Sequence, residues 1–309
     1  MARFHELAIA DIRPLTPEAV AITFTVPGAL RKAFRYRQGQ HLALRARIAG
    51  QPVVRTYSIC AGVPANELRI AVKRQPHGVF SNFANDELKQ GQTLEVMPPR
   101  GHFYTPLDRS QAKHYLAFAA GSGITPVLSI IETTLAVERA SRFTLVYGNR
   151  TSASILFREE LEDLKNTYMG RFNLMHVLSR EPSDIDLLHG RIGKEKCAQL
   201  YERWIDLARI DECFICGPEP MLQAVTEALH AHGIEGKRMH FELFTTPGEV
   251  KRQSEQRRAD RRVDHTVSRI ALVSDGRRHE FDLVRNSDTI LARLIGSISR
   301  CSGVALMAA

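Results

Sequence analysis

The sequence predicts an α/β plus β protein: an antiparallel β-barrel followed by a parallel-sheet α/β domain. Three observations carry this. Short runs of alternating hydrophobicity fill the chain up to about residue 108, buried strand and helix patterns alternate from about residue 113, and the punctuation between them is rich in Gly and Pro. At 309 residues the chain is long enough for two domains and part of a third.

In the first part, "AVAITFTVPG" places Val20, Ile22, Phe24 and Val26 on one face, and "HLALRARIAG" and "ELRIAVKRQ" repeat the period of two. Short strands of this kind build an antiparallel sheet or small barrel. In the second part, "HYLAFAAG" precedes "TPVLSIIETTLAV", "RFTLVYGN" precedes "LFREELEDLKNTY", "RFNLMHVLSRE" follows, and "ECFICG" precedes "PEPMLQAVTEALHAHG". That alternation predicts a mostly parallel sheet with helices on both faces, which the strand "RMHFELF" completes. Beyond it, "TPGEVKRQSEQRRADRRVDH" is charged and nearly free of aliphatics, the pattern of a linker. Two further strand-like runs flank Asp275-Gly276, a hairpin signal, and "SDTILARLI" has the start signal of a short helix. The expected boundaries are 1–108, 109–247, a linker at 248–265 and a fragment at 266–309.

The formal charge of +8 comes from 42 basic and 34 acidic residues mixed along the chain. Its densest basic run is interrupted by acids and lacks aromatics to stack on bases, so a solvated linker is favoured over a nucleic-acid arm. An acidic protein partner or an anionic cofactor remains compatible with such a surface. No stretch approaches the roughly 18 apolar residues of a membrane span, and the start lacks the apolar core of a signal peptide. Five scattered cysteines, Cys60, Cys197, Cys213, Cys216 and Cys301, argue for reduced thiols. A cytoplasmic protein without nucleic-acid or membrane partners is expected.

Four segments carry candidate chemistry. In "RTYSIC", a strand would offer Arg55 and Tyr57 on one face and Ser58 on the other: a cation for phosphate, a ring for a flavin and a small polar contact, although β-formers on a strand are often plain sheet residues. In "GVFSNF", a Gly-led entry to a helix can present N–H groups to a pyrophosphate, with Ser81 as a cap, or be an ordinary helix start. In "AAGSGITPV", a strand runs into Gly121-Ser122-Gly123 and then into a helix with Pro126 in its first turn, short of the full G-x-G-x-x-G fingerprint. In "CGPEPM", a second Gly-containing loop leaves a strand, and both loops should converge at the carboxyl ends of the sheet. Cys213 and Cys216 match a metal spacing, but on a strand they face opposite ways and no second pair accompanies them, so no metal is expected.

Taken in order, "RTYS", "GVFS", "GSGITP", "YGNRT", "LSRE" and "CGPEPM" resemble the ferredoxin-NADP reductase superfamily over residues 1 to about 247. "HLALRARIAGQPVVRTYSIC", "LEVMPPRGHFY", "LLHGRI" and "FELFTTPG" look most like the reductase components of phenylacetyl-CoA epoxidases. The resemblance implies FAD in the barrel, NADPH in the α/β domain and, in the family, a C-terminal β-grasp ferredoxin domain with a 2Fe-2S cluster. Carried over, Arg55 would meet the FAD phosphates, Tyr57 would stack on the flavin and Ser58 would lie near its reactive nitrogen. Gly78, Phe80 and Ser81 would hold the pyrophosphate. Gly121, Gly123, Thr125 and Pro126 would shape the nicotinamide-nucleotide loop, and Cys216, Gly217 and Pro218 would border the nicotinamide. Glu242 and Phe244 match the acid and aromatic that approach the flavin. Ser58, Cys216, Glu242 and Phe244 are the candidate catalytic residues.

NADPH is preferred because Arg150, Ser179 and Arg180 follow the second and third parallel strands, where the adenosine ribose should fall, and guanidinium groups suit its extra phosphate. Glu181, next to them, argues in the other direction; Arg158 and Arg191 are implied near the same end. The family's cluster loop needs four thiolates, and only Cys301 stands in that stretch. The expectation is a truncated ferredoxin-like fragment that cannot hold the cluster within this chain, with "CSGVALMAA" either a scrambled remnant or an evolved tail. The function expected is NADPH-dependent reduction of FAD and electron delivery to oxygenase subunits. Alternatives are an NADPH diaphorase served by an external ferredoxin and a non-catalytic docking subunit.

Overall fold

The computed structural model describes residues 3–244 and the backbone of two strands, Val267–Ser274 and Arg277–Val284. It divides into two units at Phe244, each taken by itself below.

The first unit begins with β1 (His5–Thr16), β2 (Ala19–Thr25), β3 (His41–Ile48), β4 (Gln51–Ser58), β5 (Leu68–Lys73), helix α1 (Val79–Asp86) and β6 (Thr93–Val96). The antiparallel order is β4-β3-β6-β1-β2-β5. A bridge from Ile59, just past β4, to Ile70 of β5 joins the two edges, so the sheet closes as the alternation predicts. Alternate side chains fill the interior: Leu7 and Ile9, Ile22, Leu42 and Leu44, Ile70 and Val72, and Val96, with Phe80 of α1 entering from one end. Ala49 and Gly50, at φ 48° and 77°, make the two-residue turn between β3 and β4; positive φ at both positions matches the twist of a tight hairpin. This turn sets the register that puts Tyr57 opposite Leu42, Arg55 opposite Leu44 and Ser58 opposite His41.

The second half alternates β7 (His114–Ala120), α2 (Ile124–Val137), β8 (Arg142–Asn149), α3 (Arg158–Thr167), β9 (Phe172–Leu178), α4 (Lys194–Arg203), β10 (Glu212–Gly217), α5 (Glu219–Ala231) and β11 (Met239–Leu243). All five strands are parallel in the order β11-β10-β7-β8-β9. The strand order reverses between β7 and β10, which opens a crevice beyond their carboxyl ends. One face packs on α2 and α3 through Tyr115, Phe143, Tyr147 and Phe214. The other packs on α4 and α5 through Phe118, Val146 and Ile215. Cys213 and Cys216 fall in opposite layers, as their spacing predicts. Helix α4 has no counterpart among the predicted elements; its buried Cys197, Leu200 and Tyr201 follow a helical spacing within an otherwise polar run.

In the second unit Val267–Ser274 (β12) and Arg277–Val284 (β13) pair antiparallel, with Ser274 opposite Arg277. The Asp275-Gly276 turn, the helix expected at "SDTILARLI", the linker and Cys301 lie outside the described residues. Among those described, no helix is long and apolar enough to cross a membrane.

Candidate functional site

Arg55 of β4 is exposed; its guanidinium donates to the Val54 carbonyl at 2.7 Å and has no carboxylate partner among the described residues. Tyr57 is half-buried, its ring 5.4 Å from that of Phe80, so the strand and α1 meet through two aromatics. Burial pushes the Tyr57 hydroxyl well above its ordinary range and keeps it neutral.

α1 begins at Gly78 without a side-chain cap, which leaves its first N–H groups without intrahelical acceptors, the arrangement that suits a phosphate. Contrary to expectation, Ser81 does not cap α1. Its hydroxyl accepts the Gln75 N–H at 3.1 Å and donates to the Gly78 carbonyl at 3.2 Å, so it ties the loop together. A Cβ on Gly78 would lie 2.4 Å from that hydroxyl. Phe80 is buried in the barrel core. What Gly78, Phe80 and Ser81 offer a ligand is therefore backbone.

The loops after β7 and β10 abut. A Cβ on Gly123 would stand 2.2 Å from the Cys216 carbonyl oxygen, so only glycine permits the approach. Gly121 has φ +53°, and its carbonyl accepts from the Tyr147 hydroxyl at 2.9 Å. Thr125 donates to the Ser122 carbonyl at 3.0 Å, closing the turn from within, and Pro126 is buried in the first turn of α2. Gly217 packs on Ala120 and Met221, and Pro218 caps α5.

The barrel reaches this crevice through one polar contact. Ser58 donates to the Glu242 carboxylate at 3.3 Å, across 184 positions of sequence, and His41 Nδ1 lies 3.7 Å from the other oxygen. Glu242 is the parallel partner of Cys216. Burial, and secondarily the Glu242 charge, raise the Cys216 thiol well above its ordinary value, so it stays protonated. Phe244 packs against the layer that contains Cys216. Ser58, Glu242 and Cys216 thus lie together, through one hydrogen bond and one strand register. His41, which no motif singles out, joins them because it opens β3 opposite Ser58; no spacing in the sequence signals that pairing.

Farther along the sheet, the Ser179 N–H donates to Asn149 and the Arg180 N–H to Arg150, so the loops after β8 and β9 run together. Arg150 and Arg180 are exposed. Glu181 is engaged by the Ser152 N–H at 2.6 Å and by the Ser152 hydroxyl at 3.1 Å. Arg158 is paired with Glu162 along its own helix. A cavity of about 640 Å³ lies at the opposite, amino ends of the strands, between Arg142, Lys165, Met175 and Trp204, away from all of these groups.

Uncapped amides, a guanidinium without a carboxylate partner and an aromatic pair on the barrel fit FAD, and the glycine crevice fits a nicotinamide dinucleotide. Residues 7–104 match the oxidoreductase FAD-binding domain, and residues 118–227 match the oxidoreductase NAD-binding domain. The chain is 45% identical over 292 residues to one of the subunits that make up the 1,2-phenylacetyl-CoA epoxidase of Escherichia coli, covering 94% of this chain and 80% of the relative. It is 35% identical over 246 residues to the ferredoxin reductase component of 3-ketosteroid-9-alpha-monooxygenase of Rhodococcus rhodochrous, covering 78% of this chain and 65% of the relative. Among solved structures, the FAD/NAD binding domain of a Vibrio cholerae nitric oxide dioxygenase superposes with a TM-score of 0.66 at 23% identity, over 78% of this chain and 99% of that one. A Neisseria gonorrhoeae ferredoxin NADP+ reductase does so at 0.64 and 20%, over 79% and 99%; both likenesses concern the fold.

Proposed function

Because the chain belongs to the family of the 1,2-phenylacetyl-CoA epoxidase reductases, within the ferredoxin-NADP reductase superfamily, we propose that it draws electrons from NADPH and delivers them to the oxygenase subunits of a phenylacetyl-CoA-epoxidising complex. It is an oxidoreductase with an FAD-binding and an NAD-binding domain. The observation that carries the proposal is the meeting of Ser58, on the barrel strand, with Glu242, beside the Gly123–Cys216 crevice.

When bound, FAD supplies a carrier that takes up electrons in pairs and can release them singly. The chain supplies positions. In this reading Arg55 offsets the FAD phosphate charge, Tyr57 lies against the ring system, and the α1 amides meet the pyrophosphate. Glu242 holds the Ser58 hydroxyl in one orientation where the two cofactors approach, and the protonated Cys216 thiol packs there without adding charge. Arg150, Ser179 and Arg180 take the phosphate that distinguishes NADPH, since Glu181 is committed to Ser152. The geometry asks little proton transfer of side chains; holding two rings in one orientation is the main contribution.

An anaerobic NADPH titration of the purified protein, followed in visible light, tests this. Flavin bands that bleach with NADPH and return on adding the epoxidase subunits or ferricyanide are expected. A colourless protein that does not take up FAD would overturn the proposal.

A further inference from the structure

Past Ser58 the chain continues as Ile59-Cys60-Ala61-Gly62, and this stretch lies against the middle of α2, the helix whose first turn follows the Gly121–Gly123 loop. Three side chains of α2 receive it in succession. Ser129 Oγ donates to the Ala61 carbonyl at 2.7 Å, the Gly62 N–H donates to the Glu132 carboxylate, and the Val63 N–H donates to Thr133 Oγ1 at 3.0 Å. Positions i, i+3 and i+4 share one helix face, so that face engages three consecutive residues of the loop. The fit is close: a Cβ on Gly62 would lie 2.7 Å from Glu132 Cβ. From the barrel side, the Tyr36 hydroxyl holds the same loop, 3.1 Å from the Ala61 carbonyl and 3.0 Å from that of Gly62. None of these residues is assigned to either cofactor.

We infer that Ser129, Glu132 and Thr133 form a latch between the two domains, with Glu132 as a positioning residue that sets the dinucleotide loop against the flavin strand. The inference rests on the electron-transfer reading above. Its physical basis is the stiffness of the two elements joined. The loop is the direct extension of the strand bearing Arg55, Tyr57 and Ser58, and α2 is a rigid rod with the Gly121–Gly123 turn at its head. Tying the strand's extension to the rod's middle leaves the rod's head little freedom to shift relative to the strand. A carboxyl group suits the central position because one of its oxygens can accept the Gly62 N–H in either protonation state, the ionised form accepting the stronger, charge-assisted bond.

Hydrogen exchange in the flavin-free protein, with anaerobic stopped flow on the FAD-loaded protein, tests the latch. In Glu132→Ala the Gly62 and Val63 amides should exchange about tenfold faster. Flavin reduction by NADPH should slow by about tenfold, since a misplacement of the order of 1 Å costs up to ~100-fold in rate. NADP affinity and ferricyanide reoxidation of the chemically reduced protein should stay within about twofold by the same argument. Glu132→Gln, which keeps an acceptor oxygen, should recover most of the rate. Wild-type exchange and wild-type reduction in Glu132→Ala would overturn the latch, as would equal slowing of reduction and reoxidation. Should Glu132→Ala fail to fold, Thr133→Val removes the Val63 acceptor, together with the bond that hydroxyl donates within α2 to the Ser129 carbonyl, and should show the same pattern at about threefold. A wild type that NADPH does not reduce would overturn the electron-transfer reading instead, and the exchange comparison would still decide whether the loop is latched.

Discussion

Gly123 and Cys216 come so close that a single added carbon on the glycine would sit 2.2 Å from the cysteine's carbonyl oxygen. Gly123 has φ −62°, which alanine adopts freely, so any cost of Gly123→Ala comes from this contact alone. Overpacking of this kind costs about 1–3 kcal/mol. The variant should melt earlier and bind NADP more weakly while retaining FAD, checked by thermal unfolding and by titration of each cofactor.

Ser58→Ala removes the hydroxyl that Glu242 holds at the meeting of barrel and crevice. A hydrogen bond to a charged group is worth about 1.5–3 kcal/mol, or about tenfold or more in rate if it acts on the reacting geometry. Flavin reduction by NADPH should slow to that extent with little change in NADP affinity, measured by stopped flow across NADPH concentrations. Unchanged reduction would remove Ser58 from the site.

Arg150 and Arg180 are brought together by the paired loops after β8 and β9. Replacing both with alanine should lower kcat/KM for NADPH by about tenfold or more and leave that for NADH nearly unchanged, since paired guanidinium contacts recognise the additional phosphate. Equal losses for both nucleotides would place the phosphate elsewhere.

Glu160 of α3 joins the two domains by a second route. It takes a two-pronged hydrogen bond from Arg69 of β5, at 2.9 and 2.8 Å, and another from Arg13. The Arg69 side chain is 10% exposed and that of Glu160 23%. Glu160→Ala would leave this buried cation without a close hydrogen-bonded carboxylate, its nearest remaining one being Glu67 at 3.6 Å, which should cost about 3 kcal/mol in denaturant unfolding.

Stability should also depend on pH through Glu132. Burial raises its carboxyl from 4.5 to about 7, against the Gly62 N–H and Arg69, which favour the ionised form; Glu160 and Glu67 act with burial. Tyr36 and Cys60, whose own groups burial keeps protonated, face the same region. Because the folded value lies above the unfolded one, the native state binds the extra proton. This contribution is complete below pH 4.5 and is lost as pH rises from there to about 7. Glu132→Gln should flatten the fall in Tm over that window relative to wild type.

Much of this protein was legible from local pattern. Period-two runs in Val20–Val26 mark barrel strands, and glycines at 121, 123 and 217 after buried strands mark loops that let backbone or ligand approach. Those signals survive in the sequence because each depends on residues close together in the chain. The helix at Lys194–Arg203 escapes such a reading, its few apolar positions being diluted by charge. Ser81 and Thr125 carry the marks of outward-facing tasks, yet their hydroxyls turn inward to close their own turns, a competition between ligand and backbone that residue type does not decide.

What the sequence determined by itself is therefore the order of elements, the closed antiparallel and open parallel sheets, and the loops at which cofactors are expected. Only the tertiary structure decided that His41 stands opposite Ser58, that Ser58 meets Glu242, and that Glu132 reaches Gly62. Each of those contacts joins segments well separated in the chain, through strand register or the docking of one domain on the other. A hydrogen bond made that way depends on the positions of whole elements, which no local spacing records.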